Sequence, residues 1–167
     1  MWLIGGWNPP DRAHFPRKCN NEVWSSADGA QWRLERPNTF LDESFDAHGD
    51  WEGRHTAGYA VFRDRMWIVG GDPLQGHYQA DVWSSADGCA WRLECPGVSW
   101  APRALHYTVV HDDRLWVLGG QTTPQFAPAA EVFHDDVWSS RDGVEWNLVP
   151  AVGPRWPARG MIGGAAV

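Results

Sequence analysis

Residues 81–94 read DVWSSADGCAWRLE, and nearly the same letters return at 22–35 (EVWSSADGAQWRLE) and at 136–149 (DVWSSRDGVEWNLV). In each copy an Asp-Gly pair separates two short runs that contain tryptophan. Asp-Gly between two such runs is a strong signal for a tight turn that joins antiparallel strands. The stretch therefore predicts a β-hairpin that the chain makes three times.

Tryptophan also marks the rest of the repeat. The chain has 13 tryptophans, and all but Trp7 fall into four sets of three equivalent positions. The sets lie in a stretch that ends in Gly-Gly (Trp2, Trp67, Trp116), in V-W-S-S (Trp24, Trp83, Trp138), after Asp-Gly (Trp32, Trp91, Trp146) and at the start of W-x-x-R (Trp51, Trp100, Trp156). Self-similarity at an interval of roughly fifty to sixty residues is typical of a propeller built from repeated blades.

The second copy is complete and predicts four antiparallel strands in a meander. Its runs are short, apolar and bounded by turn residues, as strands are. The predicted strands are Arg54–Phe62, Met66–Gly71, Asp81–Ser85 and Ala90–Glu94, with a turn at 63–65. In the third copy they are Arg103–His111, Leu115–Gly120, Asp136–Ser140 and Glu145–Leu148. Asp28, Asp87 and Asp142 are expected to fix the outer hairpin turn of each copy.

These residues resemble the kelch repeat. The likeness consists of an apolar strand that leads into Gly-Gly, two spaced aromatics with leucine after the second, and an arginine before the innermost strand. The residues that carry it include Trp32/Leu34, Trp91/Leu93, Arg54, Arg103 and Arg159. The resemblance covers the whole chain and implies an all-β, kelch-type β-propeller, in the superfamily of the galactose-oxidase central domain. Its four-stranded blades would lie radially around a central channel.

The repeat predicts one domain, residues 1–167, that holds three blades. Blade 1 spans about 1–35 and takes a C-terminal strand at 159–167 from the same or a partner chain; blade 2 spans about 54–94 and blade 3 about 103–148. Closed propellers have roughly four to eight blades, so three make a half-propeller with exposed sheet edges. We expect a twofold homodimer of six blades in which the C-terminal strands are exchanged. The alternative is that the chain is a fragment.

Composition limits the partners. The net charge of −7 argues against nucleic acid and against anionic membrane surfaces, which both need a basic protein. The sequence shows no transmembrane stretch and no signal region, which makes the cytoplasm the default location. The three cysteines, Cys19, Cys89 and Cys95, match no metal or redox spacing and are expected to be structural thiols. No cofactor is predicted.

Long connections on one face are expected to hold the functional site, at the channel mouth. They are Trp7–Glu22, Arg36–Gly53, Asp72–Ala80 and Gln121–Asp135. The W-x-x-R sets lie on this face: Trp51/Arg54, Trp100/Arg103 and Trp156/Arg159. They could form a ring of indole and guanidinium groups that binds an anionic or aromatic ligand. In the structural alternative, each arginine bonds loop carbonyls and each tryptophan packs between blades.

His55 follows the repeat arginine where the other copies have Ala104 and Gly160, so it breaks its own repeat and is the candidate catalytic residue. Further candidates for ligand binding are Trp7, His106, Tyr59 and Tyr107. His106 could instead belong to the core.

The acidic loop 42–50 offers Asp46 and His48 as weak metal candidates, against the alternative of a solvated loop.

Two functions follow from the sequence. The first is binding of a small anionic or aromatic ligand, or of a peptide or protein segment, on the long-loop face. The second is a cofactor-free isomerase, cyclase or lyase in which His55 acts with a carboxylate as acid and base. A deep, closed mouth favours a ligand or an enzyme, and a flat rim favours a protein partner.

Overall fold

The computed structural model describes residues 1–74, 77–122 and 131–166, and this part of the chain is built from strands and turns, without helix. The strands are β1 (Trp2–Trp7), β2 (Cys19–Ser25), β3 (Arg33–Arg36), β4 (Gly58–Phe62), β5 (Arg65–Leu74), β6 (His77–Ser85), β7 (Arg92–Cys95), β8 (Tyr107–His111), β9 (Arg114–Leu118), β10 (Gln121–Thr122), β11 (Val132–Phe133), β12 (Val137–Ser140) and β13 (Asn147–Leu148). The predicted all-β class is confirmed. The described residues contain no helix that is long and apolar enough to span a lipid bilayer.

Three antiparallel sheets carry the fold. Sheet 1 has the order β1-β2-β3, sheet 2 the order β4-β5-β6-β7, and sheet 3 the order β8-β9-β12-β13, while β10 and β11 form a small ribbon. Each strand pairs with the next strand of its sheet in the chain, which is the predicted meander. In the part of the chain that the structure describes, sheet 1 has no inner strand like those of sheets 2 and 3, so β1 is an edge strand where β5 and β9 are internal.

The Asp-Gly turns take the same form in all three sheets, as predicted from the repeat. In sheet 2, Asp87 Oδ1 accepts hydrogen bonds from the backbone N–H groups of Cys89 and Ala90, both at 2.9 Å. The side chain of Ser85 accepts one from the Gly88 N–H at 2.9 Å, and Gly88 has a φ of 76°. The carboxylate thus replaces the backbone partners that a tight turn lacks.

These turns predict loss of stability in acid. Backbone hydrogen bonds from Ala90 and Cys89 lower the pKa of Asp87, and equivalent bonds lower the pKa of Asp28. Burial opposes the shift at Asp142, where hydrogen bonds prevail and the pKa is also lowered. Groups with a lowered pKa stabilise the fold fully above the unfolded value, about 3.9, and lose that effect as pH falls through the folded pKa.

We therefore expect the urea concentration at the unfolding midpoint to decrease once the pH is lowered below about 4. The variant in which all three turn aspartates are asparagine should lose part of this pH dependence, because the amide oxygen still accepts the bonds but cannot titrate. Equal acid sensitivity of both proteins would show that other carboxylates cause it.

Apolar side chains fill the spaces between neighbouring sheets. One cluster joins sheets 2 and 3 and contains Phe62, Trp67, Val69, Val82, Trp100, Leu115, Val117 and Trp146; a second, next to sheet 1, contains Val23, Trp51, Ile68 and Trp83. The Asp-Gly turns also fit closely against tryptophans of the neighbouring sheet. A Cβ on Gly143 would lie 2.0 Å from Trp67, and one on Gly88 would lie 2.5 Å from Trp2.

Several sequence predictions about strand ends are wrong; in sheet 3, for example, the innermost strand begins at Tyr107 instead of Arg103. The innermost strand of sheet 2 begins at Gly58 instead of Arg54, because Thr56 has a φ of 54° and turns the chain before the ladder starts. The predicted loop Asp72–Ala80 is mostly strand, since β5 runs to Leu74 and β6 starts at His77. Pro73 reads as a breaker, but it lies between Gly71 and Leu74, where the register shifts and a missing N–H is tolerated. Of the predicted long connection Gln121–Asp135, residues 123–130 lie outside the described residues.

Candidate functional site

A cavity of about 440 Å³ opens beside the residues that follow the three Gly-Gly pairs. Its wall includes Trp7, Phe15, Lys18, Cys19, His55 and Asp72. Trp7, Asp72 and Gln121 hold the same place in three copies, directly after Gly-Gly, and all three line the cavity. The repeat thus delivers equivalent positions to one point and places different chemistry on each.

The backbone fixes His55 in the wall. Its N–H and C=O exchange hydrogen bonds with the backbone of Asp72 at 3.2 and 3.0 Å, as Ala104 does with Gln121 at 3.0 Å in the next copy. The ring Nδ1 lies 2.8 Å from the Asp72 carbonyl oxygen. A carbonyl only accepts, so Nδ1 carries the proton of the neutral ring and Nε2 keeps its lone pair. Nε2 makes no hydrogen bond to the described residues.

Trp7 lies over His55 and is largely open to solvent. The two ring centroids are 5.6 Å apart at 36°, and 59% of Trp7 is exposed. An indole that is held by one neighbour and is otherwise exposed offers an apolar face at little conformational cost. It is the one tryptophan outside the repeat sets. Trp7 therefore has no equivalent in the tryptophan contexts that the repeat uses to build its sheets.

Cys19 lies behind the imidazole. Its Sγ is 3.5 Å from His55 Nδ1 and 3.6 Å from the Asp72 carbonyl oxygen, and 3% of the residue is exposed. Burial raises the pKa of this thiol to about 12. The group is therefore a neutral thiol at physiological pH, and the pair is not a thiolate nucleophile with its base.

Lys18 supplies a positive charge to the cavity wall. It is the only lysine of the chain. Its Nζ lies 5.6 Å from the centroid of the Phe15 ring and 3.4 Å from the carbonyl oxygen of Pro9. The described residues provide no carboxylate partner for it. An ammonium without an acidic partner, in a wall that also holds the exposed rings of Phe15 and Trp7, is suited to a flat ligand that carries negative charge.

The repeat arginines are placed as the structural alternative describes. Arg54 is completely buried, and its Nη2 lies 3.0 Å from Asp81 Oδ2 while Nη1 donates to the Gly70 carbonyl at 3.1 Å. Arg103 repeats this with Asp136 at 2.9 Å and the Gly119 carbonyl at 2.9 Å.

Burial opposes the ionised form of Asp136, but hydrogen bonds from Arg103 and Trp138 outweigh it and lower the pKa of the carboxyl. These two guanidinium groups have no free face for a ligand. Trp51 and Trp100 are buried with them, at 0% and 2% exposure.

The third member of the set differs. Arg159 Nε donates to the Pro157 carbonyl at 3.0 Å, and the described residues give this arginine no carboxylate. Trp156 is 36% exposed. The structure therefore brings together no ring of arginines and tryptophans within one chain.

The remaining candidates lie apart from the cavity. His106 is buried, its ring is tilted by 46° against that of Trp100 with centroids 6.1 Å apart, and neither ring nitrogen finds a hydrogen bond among the described residues. Burial and the charge of Arg103 lower its pKa to about 3, so it stays neutral. Tyr59 lies on β4 and is 38% exposed. The hydroxyl of Tyr107 donates to the Gly164 carbonyl at 2.5 Å.

The acidic loop uses its polar groups internally. Asp46 Oδ1 accepts from the backbone N–H of His48 at 2.9 Å, and Asp42 accepts from the hydroxyl of Ser44 at 2.6 Å. Asp50 pairs with Arg36. Across residues 1–74, 77–122 and 131–166, no three His, Cys, Asp or Glu side chains are grouped to hold a metal ion.

Sequence reasoning missed Phe15, Lys18, Cys19 and Asp72. One signal could have found Asp72: the residue after Gly-Gly differs in all three copies, and a broken repeat position is the feature that selected His55. Phe15 and Lys18 lie in the connection that follows Gly-Gly, whose length and sequence differ in all three copies, so a comparison within the chain could not place them. The whole chain matches no protein-family model and no curated protein.

Proposed function

We propose that the chain binds a small ligand, flat and negatively charged, in the cavity between Trp7, His55 and Lys18. The observation that carries this proposal is the exposed Trp7 ring over His55, with the only lysine of the chain in the same wall. Aromatic faces hold a flat group and an ammonium holds its charge. A cavity of about 440 Å³ has the size of a small-molecule pocket and is small for a protein segment.

The scaffold of this proposal is a kelch-type half-propeller. Each four-stranded meander would be one blade. Sheet 1 would be a three-stranded blade to which another segment adds the inner strand. Two copies of the chain would make six blades around one channel. The cavity would then occur twice at the channel mouth. The antiparallel order of the sheets and their tryptophan-to-glycine contacts support this assembly.

His55 favours a second function, catalysis without a cofactor. Its Nδ1–H is held by the Asp72 carbonyl, so Nε2 is the lone pair that can accept a proton from a bound molecule. This geometry suits an isomerase, cyclase or lyase that moves a proton. A compound that displaces anilinonaphthalene sulfonate from the cavity would be the one to test for turnover.

Binding is tested with anilinonaphthalene sulfonate, a flat aromatic anion whose fluorescence rises in apolar sites. We expect Trp7→Ala and Lys18→Gln each to weaken its binding about fivefold, since a stacking or cation–π contact contributes about 1 kcal/mol. Trp32→Ala removes an indole that is 41% exposed in the single chain and does not line the cavity, so it should leave binding unchanged. Equal affinity of the wild type and the Trp7→Ala protein would disprove this site. Sensitivity to Trp32→Ala as well would indicate non-specific binding.

A further inference from the structure

The two ends of the chain carry unmatched halves of contacts that the chain makes twice internally. The first is an ion pair. Arg54 pairs with Asp81 and Arg103 with Asp136, and each carboxylate also accepts from the indole two residues later. The third copy of the arginine is Arg159.

The third copy of the carboxylate is Glu22, which directly precedes V-W-S-S as Asp81 does. Glu22 accepts from Trp24 Nε1 at 2.9 Å, like its counterparts, but no arginine of the described residues reaches it. Among the described residues, the side chain of Arg159 likewise finds no acid and donates to a backbone carbonyl, that of Pro157. An acid and a base of the same repeat ion pair are therefore both unmatched, at opposite ends.

The second contact is aromatic. The Trp51 and Trp91 rings meet edge to face at 5.6 Å, and Trp100 meets Trp146 at 6.0 Å. The third members of these two sets are Trp156 and Trp32. They are 36% and 41% exposed, whereas Trp51 and Trp100 are at most 2% exposed.

The third contact joins neighbouring sheets. Trp2 of sheet 1 lies against Gly88 of sheet 2, and Trp67 of sheet 2 lies against Gly143 of sheet 3. The next tryptophan in this series is Trp116 of sheet 3. The glycine that has no such tryptophan is Gly29 of sheet 1, which meets only the Met1 side chain.

The fourth contact is a strand. Residues 159–166 follow sheet 3, where the Gly120 N–H donates to the Arg159 carbonyl at 2.9 Å and the Tyr107 hydroxyl donates to Gly164. Met161 has a φ of 54°, like Thr56 and Leu105 at the same repeat position. The segment thus has the entry geometry of an inner strand, while the described residues offer it no strand to pair with.

We infer that sheet 1 of a second copy of this chain docks beside sheet 3, so that residues 163–166 pair with its β1 and Arg159 pairs with its Glu22. Because Gly58 faces Val69 in sheet 2, the repeat sets the register: Gly163 opposite Ile4 and Ala165 opposite Trp2. Trp156 then meets Trp32, and Trp116 meets Gly29.

This inference rests on the proposed half-propeller assembly and specifies its interface. All four contacts place the same sheet of the second copy at the same end of the first. A twofold axis forms the interface twice and leaves neither end open. Closure of one chain on itself would make a ring of three sheets, below the roughly four that propellers need.

The test is the mass of the 167-residue chain in solution, by light scattering and native mass spectrometry. The wild type should have twice the chain mass of 18.8 kDa. Arg159→Glu and Glu22→Arg should each raise the dimer dissociation constant by at least about a hundredfold, because like charges then face each other at both interfaces. The double variant that carries both changes should return to the dimer, because each interface regains one acid and one base.

Two controls keep the result interpretable. Arg92→Glu reverses a charge on the outer strand of sheet 2 and should leave the dimer intact. Glu22→Gln keeps the acceptor for Trp24 and removes only the charge, so it should weaken the dimer without harm to folding. The inference would be overturned if the wild type were monomeric, or if Arg159→Glu left the dimer dissociation constant unchanged.

The ligand proposal is tested separately in the same proteins. The cavity is lined by one chain, so monomeric Arg159→Glu should still bind anilinonaphthalene sulfonate with sensitivity to Trp7→Ala. Cooperative urea unfolding of the variant would show that it is folded. Loss of dimerisation with retained probe binding supports both proposals, and a wild-type monomer that binds the probe refutes only the interface.

Discussion

Replacement of Arg103 by alanine is expected to lower the free energy of unfolding by about 3–5 kcal/mol, the usual cost of removing one partner of a buried ion pair. Arg103 is 1% exposed and lies between Asp136 and the Gly119 carbonyl. Without it, a half-buried carboxylate and a buried carbonyl lose their donors together. Urea unfolding followed by tryptophan fluorescence measures the change. Since a domain is stable by only about 5–15 kcal/mol, the midpoint should shift by a large fraction of its value.

Arg63→Ala is the matched control for Arg103→Ala. Arg63 pairs with Asp113 at 2.9 Å, but the two side chains are 51% and 70% exposed, so loss of this pair should cost less than about 1 kcal/mol. The Arg103→Ala protein itself should bind the fluorescent probe with wild-type affinity under conditions where this variant is still folded. If Arg103→Ala weakened probe binding without lowering the stability, the repeat arginines would instead belong to the ligand site.

The repeat made most of the fold predictable, because three copies report the same constraint. Asp87 was assigned to a hairpin turn from its Asp-Gly context, and its carboxylate bonds the turn as expected. The strand ends at Thr56 and Leu74 were not predictable in this way. A positive φ at a threonine and a strand that continues past proline are both imposed by tertiary contacts, and both oppose the local preferences that the sequence displays.

The site was less predictable because it lies where the copies differ. His55 was found as a broken repeat position, and it lines the cavity. Arg54 and Arg103 were candidates because they recur, yet recurrence reflects a structural need that the buried ion pairs explain. Positions kept in every copy hold the sheets together here, and positions that vary are free to carry chemistry.

Replacement of Gly143 by alanine is the second change with a large expected effect, about 2–5 kcal/mol of lost stability. Two costs add. Gly143 has a φ of 77°, where an alanine is strained by about 1–2 kcal/mol. Its new Cβ would also lie 2.0 Å from Cζ3 of Trp67, and overpacking of a core costs about 1–3 kcal/mol. Trp67 has little room to move, since 4% of it is exposed and its Nε1 donates to the Phe62 carbonyl at 2.9 Å.

Gly153→Ala separates the two costs of the Gly143 replacement. Gly153 has a φ of 86°, and a Cβ there meets no atom within 4 Å, so this variant should show the backbone strain alone. The difference in unfolding free energy between the two variants then measures how tightly the turn of sheet 3 fits the tryptophan of sheet 2. Equal costs would mean that Trp67 yields to the new methyl group. The sheets would then be held by less specific packing than the repeated tryptophan-to-glycine contact indicates, and the same contact would be a weaker guide to the interface between copies.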